Sequence, residues 1–273
     1  MIVFPNCKLN LGLHILQKRS DGFHDLETVF YPLPLQDALE IIQSDQKDHP
    51  LQFTTSGLPV DGKAEDNICY KAYYLLKDRF PQLPPVKMHL HKAIPMGAGL
   101  GGGSADGAFT FLLLNKKFNL GLAEDELINY ALQLGSDAPF FIVNSPCFAT
   151  GRGEQMVPVN LDLSAYKFLI VNPGIHVNTG WAFRQITPQS GRPSLKERIL
   201  LPVEQWKEHI TNDFEAPVAA AYPEISTLKV ELYQHGAVYA AMSGSGSTVF
   251  GIFRKEADLG NIRFPAHYYA KEV

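Results

Sequence analysis

Cysteine is scarce. Cys7, Cys69 and Cys147 are the only three in 273 residues, and they lie far apart. Without a C-x-x-C pair or an even set, a disulfide framework and a zinc cage are both excluded, which predicts buried or idle thiols in a reducing compartment. Long apolar runs are missing too: none approaches the ~18 residues that a membrane helix needs. The first ten residues are broken by Pro5, Asn6, Lys8 and Asn10, which does not fit a secretory signal. A soluble cytoplasmic protein is the expectation. Positive charge is also lacking. Lysine and arginine number 24 against 28 acidic residues, a net charge of −4. That removes any general attraction to nucleic acid or to an anionic membrane. No internal repeat occurs, and nothing in the sequence implies a protein partner.

What is present is a globular composition, 45% apolar and 19% charged, long enough for one large domain or two modest ones. Leu9, Leu11, Leu13 and Ile15 alternate with Lys8, Asn10, Gly12 and His14, the pattern of a strand with two unlike faces. Strands are predicted over Thr28–Leu35, Ala38–Gln43, Leu51–Thr54 and Val86–Lys92. Helices are predicted from Asn67, a plausible N-cap, to Phe80, from Ser104 to Lys117, and from Ala123 to Leu134, where Gly135 stops the last. The second half reads β, α, β, β, α, β. Its strands are Lys167–Asn172, Ala237–Met242, Thr248–Phe253 and His267–Lys271; its helices include Pro223–Gln234 and a short one near Glu256–Asn261. That order suggests a split-βαβ, ferredoxin-like unit. The fold class is therefore α+β, with a boundary near Val157–Ala165 that divides the chain into 1–157 and 158–273.

The glycines are unevenly placed. Six of the 22 fall between Gly97 and Gly107, in the run Ile94-Pro95-Met96-Gly97-Ala98-Gly99-Leu100-Gly101-Gly102-Gly103-Ser104. Glycine permits positive φ and close approach of a ligand, and the first turn of the helix that follows offers unpaired amides to phosphate. Ser104 adds a hydroxyl. No lysine occurs between Ala93 and Asn115, so this is not a Walker-type P-loop. Gly97, Gly99 and Gly102 meet the dinucleotide fingerprint formally. The acidic residues about 20 positions on, Glu124 and Asp125, open a helix instead of ending a strand, so that reading fails on context. A glycine-rich turn without any ligand stays open. His89 and His91 share a strand face, but no third ligand accompanies them in sequence, so they read as a strand pair.

The block from Pro95 through Gly99, Leu100, Gly101, Gly102 and Gly103 to Ser104-Ala105 resembles the lysine-free phosphate motif of the GHMP kinase superfamily. Pro5-Asn6-Cys7-Lys8-Leu9-Asn10-Leu11 is similar to that superfamily's N-terminal P-x-K-x-N-L strand, with a slightly different register. Met242-Ser243-Gly244-Ser245-Gly246-Ser247 is similar to its C-terminal glycine turn. The resemblance implies an N-terminal α/β domain of the ribosomal protein S5 domain 2 type, a ferredoxin-like C-terminal domain, ATP as phosphoryl donor and Mg²⁺ as its companion. It identifies no carboxylate as a metal ligand. Phosphate would lie over Pro95, Gly97, Gly99, Leu100 and Gly101–Ser104, and adenine near Asn67 and Lys92.

Leu134-Gly135-Ser136-Asp137-Ala138-Pro139 and Arg19-Ser20-Asp21-Gly22-Phe23-His24 resemble segments of one GHMP branch, whose acceptor is the cytidine diphosphate alcohol 4-diphosphocytidyl-2-C-methyl-D-erythritol. In that branch the aspartate is the catalytic base, so Asp137 is implied to deprotonate the 2-hydroxyl. A carboxylate beside Lys8 would stay ionised. Asn10 shares the face of Lys8. The histidine reads the cytosine, which implies His24 in that role, with Phe23 and Phe183 stacking on the base and Thr179 nearby. From the residues alone, plainer readings remain: Lys8 as an exposed edge-strand lysine, Asp137 as a turn aspartate, His24 as a loop histidine. A homoserine or mevalonate kinase, or a nucleotide-binding protein without activity, would keep the glycine block and lose the reason for Arg19–His24.

Overall fold

The structure is a computed structural model that describes residues 1–46 and 48–273. Its backbone contacts group into two units that interleave along the chain. One comprises Met1–Cys7, Pro34–Met96 and Gly101–Ser145; the other comprises Lys8–Leu33, Gly97–Leu100 and Pro146–Val273.

The first unit holds a four-stranded sheet in the order Ile2–Val3, Ala38–Gln43, Val86–Lys92, Leu51–Gly57. The pair Leu51–Gly57 with Val86–Lys92 is parallel and the others antiparallel. A parallel pair needs a crossover, and helix Ile68–Arg79 supplies it, starting from Asn67, whose side chain accepts the Cys69 amide at 2.9 Å. Val86, Met88, Leu90 and Lys92 point into the core. His89 and His91 lie on the opposite face, hydrogen-bonded to the hydroxyls of Thr54 and Ser56. Helices Gly102–Phe118 and Glu124–Leu134 complete the unit. Gly107 allows the helices to close up, because a Cβ there would stand 2.8 Å from Leu134 and 2.9 Å from Ile68.

In the second unit a fully antiparallel sheet runs in the order Tyr239–Met242, Val249–Arg254, Tyr166–Asn172, Tyr269–Glu272. This is the order and direction expected of a split-βαβ sheet. Helix Pro223–Gln234 packs on its two hairpin strands and buries Ile225, Leu228 and Leu232. The second helix of the motif is not formed. Around 256–261 the chain makes turns, because Asp258 takes the Gly260 amide at 2.9 Å and the Asn261 side chain at 3.1 Å. Such aspartate turns compete with a helix.

A third sheet has the order Asn6–Lys18, His24–Gln36, Cys147–Thr150, Gln155–Pro158. On strand Asn6–Lys18 both of the unlike faces that its alternation predicts are covered. From Asn6 through Ile15 every residue is buried. The segment Thr211–Asp213 lies along it: Leu13 N donates to Thr211 O and Asp213 N to Leu13 O, both at 2.9 Å. The strand stands last in its sheet order, but Lys8 is buried, which removes the exposed edge-lysine reading.

All three cysteines are free and buried. Burial raises the Cys69 thiol and pushes Cys147 up to about 12. Among the described residues no helix is long and apolar enough to cross a membrane.

Candidate active site

The glycine run changes units within itself: Gly97–Leu100 belongs to the second unit, Gly101 onward to the first. In the second unit, Gly99 has φ +79° and a Cβ added to it would stand 2.1 Å from Ser243 O. No other residue fits that position. Ser243 Oγ donates to Gly99 O at 2.8 Å, and Thr248 N donates to Ala98 O at 3.2 Å. The C-terminal turn thus lies directly against the first half of the glycine run. Thr179 joins it through its hydroxyl, 3.0 Å from that of Ser245.

Strand Asn6–Lys18 brings Lys8 and Asn10 to the same place. Lys8 N donates to Leu100 O at 2.9 Å, and Lys8 Nζ reaches Gly99 O at 3.4 Å. The ammonium also donates to Asn10 Oδ1 and lies 5.1 Å from the centre of the Phe30 ring. Asn10 is fixed from two sides: its backbone N donates to Ser243 Oγ at 3.2 Å and its Nδ2 to Thr28 Oγ1 at 2.9 Å. Lys8 is 2% exposed.

In the first unit, helix Gly102–Phe118 opens from Gly101, whose φ of +71° turns the chain into the helix. The first amides of a helix have no partners within it. A Cβ on Gly102 would strike Ile94 at 2.8 Å, whereas one on Gly103 would meet nothing within 4 Å. Protein packing therefore does not account for Gly103, which faces open space at the helix start. Ser104 follows at the half-buried surface, and Pro95 sits half-buried ahead of the run.

Lys92 is fully buried, its ammonium shared between Asp37 and Asp106, the latter at 2.7 Å. Asp37 also accepts the amides of Ala93 and Ile94 at 2.6 and 2.9 Å. The group anchors the strand end that leads into the glycine run. Two carboxylates face one cation, and Asp106 Oδ1 has no partner. Burial pushes the Asp106 carboxyl up to about 8 against the pull of Lys92. Lys92 itself is raised: burial alone would lower it, and the two carboxylates outweigh that.

The Arg19–His24 turn is built around its arginine. Arg19 bonds Asp21 at 2.9 Å and Asp25 at 2.9 Å, while Asp21 Oδ1 accepts the Phe23 amide at 3.1 Å. His24 stacks on Phe183, centroids 4.8 Å apart and planes 17° from parallel. Its imidazole is lowered by burial and then by Lys18, so the neutral ring, with one donor and one acceptor, dominates at neutral pH. Phe23 stays half-exposed, with the Arg152 guanidinium 4.6 Å from its ring centre. Phe183 thus stacks on His24 and meets Phe214 edge-on at 4.9 Å, and Phe23 pairs with Arg152. Asp137 is half-buried in the turn that leads through Pro139 into Phe140–Val143. Asn67 caps helix Ile68–Arg79 at the surface of the first unit.

Asp37 left little mark in the sequence: it looks like a turn residue between two strands, and only its burial shows its role. Gly151-Arg152-Gly153-Glu154 resembles a segment of the same GHMP branch, but the contact of Arg152 with Phe23 depends on tertiary structure. A cavity of about 620 Å³ in the second unit is lined by Thr211, Asn212, Glu215, Lys229 and Met242 among others, and by none of the sequence-predicted site residues. Among the described residues no group of three or more His, Cys, Asp or Glu could hold a metal ion.

The comparisons agree across the whole chain. Residues 67–145 match the GHMP kinases N terminal domain and residues 201–269 the GHMP kinases C terminal family. A 4-diphosphocytidyl-2-C-methyl-D-erythritol kinase of Bacteroides fragilis is 52% identical over 268 residues, covering 98% of this chain and 97% of its own. The corresponding Parabacteroides distasonis kinase is 51% identical, with 93% and 92% covered. A crystal structure of 4-(cytidine 5'-diphospho)-2C-methyl-D-erythritol kinase superposes with a TM-score of 0.81 at 29% identity, covering 100% of this chain and 98% of its own. The Methanococcus jannaschii mevalonate kinase, at 13% identity and TM-score 0.70 with 99% and 97% covered, shares the fold alone.

Proposed function

We infer the reaction from one premise: this chain belongs to the GHMP kinases, and within them to the 4-diphosphocytidyl-2-C-methyl-D-erythritol kinase family. It is a small-molecule kinase. It transfers the γ-phosphoryl group of ATP to the 2-hydroxyl of 4-diphosphocytidyl-2-C-methyl-D-erythritol, giving the 2-phosphate and ADP in non-mevalonate isoprenoid synthesis.

The nucleotide phosphates take the run from Gly97 to Ser104, bound by backbone amides at the helix start. The open space over Gly103 supports this. Asn67 attends the adenine. Lys92 acts from beneath, because its ammonium is already shared by Asp37 and Asp106 and holds the Ala93–Ile94 backbone through Asp37. The residues present fit Mg²⁺ only as a companion of ATP: the Ser104 hydroxyl is the protein group available at the helix start, and the phosphates themselves supply the remaining oxygens. Bound there, the ion would neutralise charge on the β- and γ-phosphates.

Lys8 carries the reading. A buried ammonium beside the Gly99 carbonyl, in a glycine run that has no lysine of its own, supplies the positive charge that phosphoryl transfer needs. Asp137 accepts the proton of the 2-hydroxyl as that oxygen bonds to the γ-phosphorus and the bond to the β–γ bridging oxygen breaks. Asn10 orients Lys8, and Thr179 borders the same turn as Ser245. On the acceptor side, neutral His24 hydrogen-bonds the cytosine, and Phe23 and Phe183 offer ring faces to it. Phosphorus NMR of the product tests the regiochemistry: the new phosphate monoester should couple to no proton on its carbon, since C2 carries the methyl group. A doublet or triplet would place the phosphate on another hydroxyl.

A further inference from the structure

We propose that Asn212 is a positioning residue for phosphoryl transfer, holding the Met242–Gly246 turn in the conformation that seats Lys8 and Asn10 against Gly99. The proposal rests on the reaction inferred above and adds to it a residue that touches neither substrate.

The turn needs outside support. Gly244 and Gly246 have φ of +58° and +92°, and glycine at such angles gives the chain freedom that packing must remove. Asn212 is 4% exposed. Its Nδ2 donates to both Met242 O and Gly244 O at 2.8 Å, and its Oδ1 accepts the Phe214 amide at 3.0 Å. Glu215 takes the Met242 amide at 2.7 Å and the Lys229 ammonium at 2.5 Å. The peptide groups on both sides of Met242 are therefore clamped by one short segment. That segment is itself tied to strand Asn6–Lys18, through Leu13 with Thr211 and Asp213, and through Ile15 N donating to Asp213 Oδ2 at 2.7 Å.

The clamp leads to the reacting groups in two steps. Ser243 lies between the two carbonyls that Asn212 holds. Its hydroxyl bonds Gly99 O and receives the Asn10 amide, and Gly99 O in turn meets Lys8 Nζ. Asn212 and Met242 also line the 620 Å³ cavity. Water can enter there, so the loss of the Asn212 amide shifts the turn more than it unfolds the unit.

Asn212→Asp is isosteric, keeps the acceptor for Phe214 and loses both donors. Measured by ADP release, its kcat should fall by about tenfold or more, the scale of a misplaced catalytic group, while the acceptor KM stays within about twofold of wild type. Ser243→Ala should do the same. Because Asn212 acts through Ser243, the double variant should lose no more than about twofold beyond the worse single one. Wild-type kcat in either single variant, or a double loss equal to the product of the two, overturns the proposal. Should the aspartate variant not fold, Asn212→Ser enters the same cycle. A wild-type protein that turns over no cytidine acceptor counts against the reaction instead. The cycle is then read in ATP dissociation constants, where the same non-additivity is expected and multiplicative losses overturn the clamp.

Discussion

The Ser243 hydroxyl donates to the carbonyl of Gly99, 144 residues away in sequence, at 2.8 Å. Two glycine-rich turns that look independent in the sequence form one surface, and the Lys8 ammonium reaches the same carbonyl.

Glycines in the run should separate by role. Gly99→Ala meets both a positive φ and the Ser243 carbonyl at 2.1 Å. It should lower stability by more than about 1 kcal/mol, the scale of forcing a side chain into the left-handed region, and abolish most turnover. Gly103→Ala meets no neighbour. Its melting temperature should match wild type while its KM for ATP rises about tenfold. Thermal melts and ATP titration of kinetics check both.

Asp106 should make stability depend on pH in an unusual direction. Burial pushes its folded carboxyl up to about 8 from the ordinary 3.8. The folded state binds the proton more tightly, so this contribution is full below about pH 4, declines as pH rises towards 8 and is flat beyond. Asp106→Asn removes it. Urea melts should show the variant gaining steadily on wild type between pH 4 and pH 8. A constant difference across that range contradicts the assignment.

His24→Ala should raise the acceptor KM about tenfold, the loss of one or two hydrogen bonds, and leave the ATP KM unchanged. In the wild type, acceptor binding should hold through neutral pH and weaken only below 6.5, because the imidazole is lowered from that value by burial. Equal effects on both substrates place His24 outside the acceptor site.

Asp137→Asn should lower kcat by ~10²–10⁴-fold, the range of a lost general base, with ATP still bound. Single-turnover measurements beside ATP titration check it; an unchanged kcat removes Asp137 from the proton transfer.

Much of this was legible in the sequence because local chemistry dictates it. Positive-φ glycines, the Asn67 cap and the alternation in Val86–Lys92 each have a local cause, and the structure repeats them. The polar face of strand Asn6–Lys18 is buried for a tertiary reason. Lys8, Asn10 and His14 share one face in sequence, and Thr211–Asp213 pairs with the strand from 198 or more positions away. Asn212-Asp213-Phe214-Glu215 resembles a segment of the same GHMP branch in sequence, but its contact with this strand and with the Met242–Gly246 turn is tertiary. Lys92 reads by resemblance as a lysine near the adenine, and the convergence of Asp37 and Asp106 on it is tertiary. The helix near Glu256–Asn261 fails because Asp258 captures the local amide, a competition that helical periodicity does not register.

ADP release measured with ATP and a panel of acceptor alcohols tests the central claim most directly. The account predicts release with 4-diphosphocytidyl-2-C-methyl-D-erythritol and none above background with homoserine or mevalonate. Release with either of those, or silence with the cytidine diphosphate alcohol, would contradict it.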